Sequence, residues 1–248
     1  MINKKTPVSG KFVLKNKRLR ASHNPQEVGA GSRLITELTA EFYDINLKKY
    51  AKGYLLDLGC GNIPLFIAYN DLITNLLCVD WKNPFSEEYV DVYADLNEKL
   101  PFPENTFDTI ILSDVLEHIR NPELLWFEMY RILKNEGILI LNVPFFYWLH
   151  EIPNDFFRYT EFALKHFAQK SGFEIIELKA LGGVPEIMTD IFSKNIVRLP
   201  VLGKIFALFL QKFNLLFLKT KFGKKISQKT SKKFPYSYGM IVKKTTNI

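Results

Sequence analysis

Cysteine is nearly missing from this chain of 248 residues: it has only Cys60 and Cys78, both in or beside apolar runs that read as strands. Two such thiols exclude a disulfide-stapled scaffold and point to a reducing compartment. No Cys/His spacing of the kind that holds zinc is present, so no metal is expected. A clean apolar run is also missing. The stretch from Leu199 to Leu218 approaches the ~20 residues that a membrane span requires, yet Lys204, Gln211, Lys212 and Asn214 interrupt it. An interfacial or core-capping helix is the better expectation there. The N-terminal lysines are followed by no apolar segment of signal-peptide type, so the expected location is cytoplasmic. No internal repeat is visible, which excludes a solenoid.

Acidic residues are absent from both ends. Residues 1 to 20 carry seven Lys/Arg and no Asp/Glu, residues 21 to 190 carry 13 against 26, and residues 191 to 248 carry 13 against none. An acidic body with two basic extensions suits an anionic surface such as membrane lipid, nucleic acid or a phosphorylated substrate; a solubilising fringe has the same composition. With 47% apolar and 24% charged residues, what lies between is ordinary globular material of a length that fits one decorated α/β domain.

The first 31 residues show no sustained apolar period and read as a basic arm. Leu34, Ile35, Leu38, Phe42 and Ile45 then recur at helical spacing, which predicts a helix over roughly 32–50. From Tyr54 strands and helices alternate, the pattern of a parallel sheet covered on both faces. Strands are expected at 54–58, 76–80, 90–94, 106–113, 137–143, 173–181 and 237–242, and helices at 64–72, 122–133 and 160–171, the last with Gly172 as its C-cap. The core is thus expected over 32–184. A basic, apolar helical insertion should follow over 185–233, then a final core strand and tail over 234–248.

The strongest local signal is Leu55-Leu56-Asp57-Leu58-Gly59-Cys60-Gly61-Asn62, an apolar strand running into an acid and two glycines. Without Cβ atoms, Gly59 and Gly61 admit left-handed backbone and a close ligand, and Pro64 suits the first turn of a following helix. Asp80 ends the next apolar strand, where a carboxylate can accept both ribose hydroxyls of an adenosyl group, and Trp81 offers a flat face to a base. Asp95-Leu96 and Phe107–Ser113 supply two further strand ends. In an open parallel sheet such ends converge on one ligand crevice.

Together, Asp57-x-Gly59-x-Gly61, Asp80, Asp95-Leu96 and Ser113-Asp114-Val115-Leu116-Glu117-His118 resemble the successive motifs of class I S-adenosylmethionine-dependent methyltransferases, most closely the methyltransferase type 11 group. The match runs over about residues 54 to 181. It implies a Rossmann-like α/β fold, an open sheet of about seven strands, mostly parallel with an antiparallel last strand. It also implies S-adenosyl-L-methionine as cofactor. In that cofactor site Asp57, Gly59 and Gly61 shape the methionyl pocket, Asp80 holds the ribose, Asp95 and Leu96 border the adenine, and Ser113 lies beside the methionyl part. One departure is visible: many members have a third glycine where this chain has Ile63. A second segment, His150-Glu151-x-Pro153-x-Asp155-Phe156-x-Arg158-Tyr159-Thr160, resembles members associated with surface-polysaccharide gene clusters.

A sulfonium methyl is already activated, so the protein's work is to hold an acceptor in line and, for a hydroxyl, to remove its proton. His118, His150 and Asp155 are the candidate catalytic groups, and Arg158 and Tyr159 are candidates to bind the acceptor. A hydrogen-bonded structural role is open for each. His166 falls inside a predicted helix and His23 in the arm. The expected acceptor is a small hydroxylated molecule, a sugar or glycan precursor, free or lipid-linked. RNA or protein acceptors, and a non-enzymatic S-adenosylmethionine-binding protein, stand as alternatives. A nicotinamide enzyme is disfavoured, because Asp57 just ahead of the turn would repel a pyrophosphate and the third dinucleotide glycine is missing. The basic apolar segment over 191–248 suits peripheral contact with an anionic membrane at its inner face, or packing of Phe206, Leu210, Phe213 and Phe217 on the chain itself.

Overall fold

The computed structural model describes residues 10–82 and 87–245; the first nine residues of the basic arm and the last three of the tail lie outside that range. The described residues cluster into two units, one comprising Ile45–Lys179 and the strand that starts at Tyr238, the other comprising the chain up to Asp44 and Ala180–Ser237.

The first unit is built on a sheet. Strands β3 (Tyr54–Leu58), β4 (Asn75–Asp80), β5 (Val92–Tyr93), β6 (Phe107–Ser113), β7 (Leu133–Pro144), β8 (Phe173–Leu181) and β9 (Ser237–Lys244) form seven strands among the described residues, in the order β5-β4-β3-β6-β7-β9-β8. The pairs β3 with β4, β3 with β6, β4 with β5 and β6 with β7 are parallel. Strand β9 runs against β7: Tyr238 at its start meets Phe145 just past the end of β7, whereas Lys244 at its end donates to the carbonyl of Leu133 at the beginning of β7. The mostly parallel sheet with one antiparallel strand is the Rossmann-like arrangement that was expected.

Runs such as Leu55-Leu56 and Ile110-Ile111-Leu112 are fully buried, as central parallel strands require. Strand order reverses beside β3: the chain leaves it toward β4 and β5, then returns to β6 on its other side. The ends of β3, β4, β5 and β6 therefore open onto one crevice.

Helices close this unit around the sheet. Helix α3 (Pro122–Ile132) starts where the Asn121 side chain accepts from the Leu124 amide and Pro122 fits the first turn. It buries Leu125, Trp126, Met129 and Ile132, and Trp126 meets the β8 residue Phe173 edge-on with ring centroids 5.8 Å apart. Helix α4 (Glu161–Lys170) is capped by Thr160 and followed by Gly172 at φ 94°, the left-handed stop expected of that glycine. Where a helix was expected over 64–72, there is one α-helical turn, α2 (Phe66–Tyr69), continued by a 3-10 turn (Asn70–Leu72).

The second unit holds the described part of the N-terminal basic extension and the C-terminal one as far as Ser237. What reads as an arm contains a hairpin, β1 (Phe12–Lys15) with β2 (Arg18–Ala21), turned by Asn16 and Lys17 at φ 51° and 60°. Its edge amides are satisfied by helix α1 (Arg33–Tyr50), through Leu19 to Asp44 and Ala21 to Glu37. Helices α5 (Val184–Ile196), α6 (Gly203–Lys219) and α7 (Lys221–Ser231) make up the rest. Inside it Lys194 and Asp190 pair at 2.7 Å, both buried.

Truncating Trp126 to Ala should lower the unfolding free energy by about 3–5 kcal/mol, the cost of a large cavity in a packed core. Urea denaturation measures it, and a loss below about 1 kcal/mol would mean that the α3–β8 contact relaxes freely.

Candidate active site

The cofactor side begins with an amide problem at the end of β3. Gly59 at φ 75° and Gly61 at φ 50° are left-handed, and a Cβ on Gly59 would come within 2.5 Å of Val115. The exposed donors of this turn are taken by the end of β4: the Gly59 and Cys60 amides donate to the Val79 carbonyl at 2.8 and 3.0 Å, and the Gly61 amide donates to the Asp80 carboxylate at 2.7 Å. The other Asp80 oxygen accepts from the Trp81 amide at 2.8 Å. Burial pushes the Asp80 carboxyl upward, against the pull of those two amides. Ile63, which replaces the usual third glycine, also adopts a left-handed φ of 44° with its side chain fully buried. The turn keeps the backbone a glycine would take, at the cost of strain on a β-branched residue.

These residues open onto a cavity of about 580 Å³. Of the residues expected to hold the cofactor, Gly59, Gly61, Asp80, Trp81, Asp95 and Leu96 line it. Asp57 and Ser113 are not among the lining residues. Asp57 is buried behind the turn, where its carboxylate accepts the Tyr69 hydroxyl at 2.8 Å. The lining adds residues that strand-end reasoning missed, among them Asn97, Asp114, Val115, Ile119 and Asn154. Asn97 does the joining: it donates to Asp95 and accepts from the Arg120 and Asn121 amides, tying the loop after β5 to the loop after β6. Its place two residues after an aspartate is an Asx-turn signal that the sequence did offer.

The acceptor-side candidates converge on a loop that follows β7. It is clipped to the turn after β6 by the Phe156 and Phe157 amides on the Glu117 carbonyl at 2.9 and 3.1 Å, and by the Tyr159 hydroxyl on the Leu116 carbonyl at 3.1 Å. His118 Nδ1 lies 2.7 Å from the Asn154 carbonyl, and the His118 and His150 rings meet edge to face at 4.8 Å. His118 lines the cavity; His150, Asp155, Arg158 and Tyr159 are not among the lining residues. Arg158 grips both Asp155 oxygens at 2.6 and 2.7 Å and holds that carboxyl well below the usual range. Tyr159 is buried, which pushes its phenol upward. His166 and His23 lie elsewhere.

Between the two histidines stands Glu117, which sequence reasoning left without a role. It is fully buried, with one carboxylate oxygen 3.7 Å from His118 Nε2 and 3.6 Å from His150 Nε2. Burial pushes its carboxyl upward, whereas Glu117 itself is the main cause that raises the His150 imidazole. An acid inside the apolar run Val115-Leu116-Glu117-His118-Ile119 was the available signal.

The family model described as a methyltransferase domain matches residues 56–141, the segment that carries β3 to β7 and the cavity's strand ends. The chain belongs to the class I S-adenosylmethionine-dependent methyltransferases. Its cofactor is S-adenosylmethionine. An uncharacterized protein of Methanocaldococcus jannaschii is 32% identical over 171 residues, 61% of this methyltransferase and 69% of that protein. Among solved structures, a methyltransferase in complex with the Trm112 methyltransferase activator of Haloferax volcanii superposes with a TM-score of 0.56 at 15% identity, covering 84% of this chain and 90% of that one. A SAM-dependent methyltransferase of Archaeoglobus fulgidus gives 0.52 at 16% identity, covering 78% and 87%. Identities this low speak for the fold alone.

The expectation that Asp80 holds the ribose is tested by replacing it with Ala, which removes a charged acceptor from the cavity wall. Affinity for S-adenosylhomocysteine should fall by about 1.5–3 kcal/mol, roughly ten- to a hundredfold, in calorimetry. Unchanged affinity would move the ribose elsewhere.

Proposed function

We propose that this methyltransferase transfers the methyl group to a hydroxyl oxygen of a small acceptor, a sugar or glycan precursor. What carries the reading is the pair His118 and His150 on one buried carboxylate, with His118 in the wall of the cofactor cavity. An acceptor already deprotonated near neutral pH, such as a thiolate, needs no such device, whereas a sugar hydroxyl must lose its proton as it attacks. In the reaction the hydroxyl oxygen forms a bond to the methyl carbon, the carbon–sulfur bond breaks, and its electron pair neutralises the sulfonium. The hydroxyl proton passes to the His–Glu cluster and on to water. Asp155, braced by Arg158, orients His150 through the His150 amide at 3.0 Å and ring Nδ1 at 3.3 Å. The purified enzyme, given labelled cofactor and separate sugar, lipid-linked glycan, RNA and protein fractions, should label the glycan material. His150→Ala should cut that labelling by about 100-fold. Label confined to RNA or protein would overturn the reading.

The setting we infer is an anionic membrane surface. Helix α6 is inverted: Gly203, Ala207, Gln211 and Asn214 are buried, whereas Ile205, Phe206, Phe209, Phe213 and Leu216 are 53–62% exposed. No helix among the described residues is long and apolar enough to cross a membrane. An apolar face on a helix whose Lys204, Lys212 and Lys219 are exposed and are followed by the exposed Lys221, Lys224 and Lys225 of α7, with no acidic residue over 191–248, suits the acyl boundary beneath anionic headgroups, each exposed basic residue contributing about 1 kcal/mol. There a lipid-linked acceptor would be concentrated. Flotation should show salt-sensitive binding to anionic and not to neutral liposomes, lost when the exposed Lys221, Lys224 and Lys225 become Glu. Absence of binding to either vesicle at low salt sinks the idea.

A further inference from the structure

We propose that Glu117, His118 and His150 form a binding site for one divalent transition-metal cation of the Zn²⁺ or Mn²⁺ kind, beside the cofactor cavity. Their ligand atoms lie within 4.8 Å of one another. Two imidazoles and one carboxylate are the donor set of catalytic sites that leave coordination positions open for substrate.

The burial of Glu117 is the first support. Its side chain is fully buried and neither oxygen accepts a hydrogen bond. A carboxylate built only to pair with histidine would close to about 2.7–2.9 Å; here both Nε2 atoms stop at 3.6 and 3.7 Å from one oxygen. Ligands bound to one cation at about 2.0–2.2 Å sit roughly 3–3.5 Å apart, so small side-chain adjustments satisfy all three.

Ring orientation is the second support. The Asn154 carbonyl can only accept, so His118 Nδ1 at 2.7 Å carries a proton, and in the neutral imidazole the lone pair is then on the Nε2 that faces Glu117. His150 repeats the arrangement: Nδ1 lies 3.3 Å from Asp155 and 3.3 Å from the Trp148 carbonyl, and Nε2 faces Glu117. An imidazole whose far nitrogen is held by a carbonyl or carboxylate is the usual form of a metal-ligating histidine. Asp155, with Arg158 behind it, is thus a positioning residue for one ligand. No oxidant is required: with the cation bound, the two imidazoles and Glu117 are its ligands and no longer the proton acceptor, and the cation acts as a Lewis acid that lowers the proton affinity of a bound hydroxyl, whose proton then passes to water. This role, though not the site, rests on the hydroxyl-acceptor reading above.

The full-length protein without a histidine tag, stripped with chelator, is titrated with Zn²⁺ and with Mn²⁺ in a calorimeter. One equivalent of at least one cation should bind. His150→Ala and the isosteric Glu117→Gln should weaken it at least 100-fold while S-adenosylhomocysteine still binds, and Asp155→Asn should weaken it 10- to 100-fold. No saturable binding of either cation to the parent chain, or binding unchanged in both ligand variants, overturns the site. Methyl transfer to a hydroxyl at full rate in the stripped enzyme overturns the cation's role and leaves the acceptor reading standing, whereas label found only in RNA or protein defeats that reading and leaves the site.

Discussion

Three amide hydrogens at the end of β3 have no partner within their own strand, and the rest of the cofactor side follows from where they go. Because β3 and β4 are parallel with Leu58 opposite Val79, the chain leaving β3 finds the end of β4 beside it. The Val79 carbonyl takes two of the amides and the Asp80 carboxylate takes the third. Asp80 is thereby anchored before any ligand arrives, and its second oxygen is fixed by Trp81. Left-handed backbone at Gly59, Gly61 and Ile63 is the geometric condition for those bonds. The strain at Ile63 is local and held in place by a buried side chain, as over-determined strained residues at functional turns must be.

The sheet was legible because its strands are continuous apolar runs bounded by turn residues. The intervals 54–58 and 173–181 were read to the residue, and the strand ends followed from the parallel order alone. The start of β7 was not legible: Lys134, Asn135 and Glu136 are polar, yet they continue the strand from Leu133. Nor was the N-terminal hairpin. Its buried residues Phe12, Leu19 and Ala21 are separated by a turn without glycine, and the edge amides are satisfied by Glu37 and Asp44 from a helix that local sequence cannot foresee.

The site divides in the same way. Asp80, Trp81, Asp95 and Leu96 each sit at the end of a strand, so their convergence is a property of topology and could be read one residue at a time. Glu117 could not. Its meaning depends on His150, which reaches it only because the loop after β7 is clipped back onto Glu117 and Leu116. Those clips run between backbone groups and a tyrosine hydroxyl, and nothing in composition or period announces them. Tyr159 and Arg158, conspicuous in the sequence, are engaged in building that loop: one on a carbonyl, the other on Asp155.

Helix α6 raises the opposite problem, since its periodicity was plain but its direction was not. A 3.6-residue apolar stripe fits a core or a membrane equally well, and only the partners of the other face decide which. Gln211 accepts the Leu34 amide at 2.6 Å and Asn214 donates to the Pro185 carbonyl at 2.6 Å. Both amides are buried, and turning the phenylalanines inward would strip them of these partners at a cost of about 1–3 kcal/mol for each. Polar contacts fix the helix in the orientation that leaves its apolar face outward. The surface that results is therefore a consequence of the hydrogen bonds that Gln211 Oε1 and Asn214 Nδ2 make beneath it.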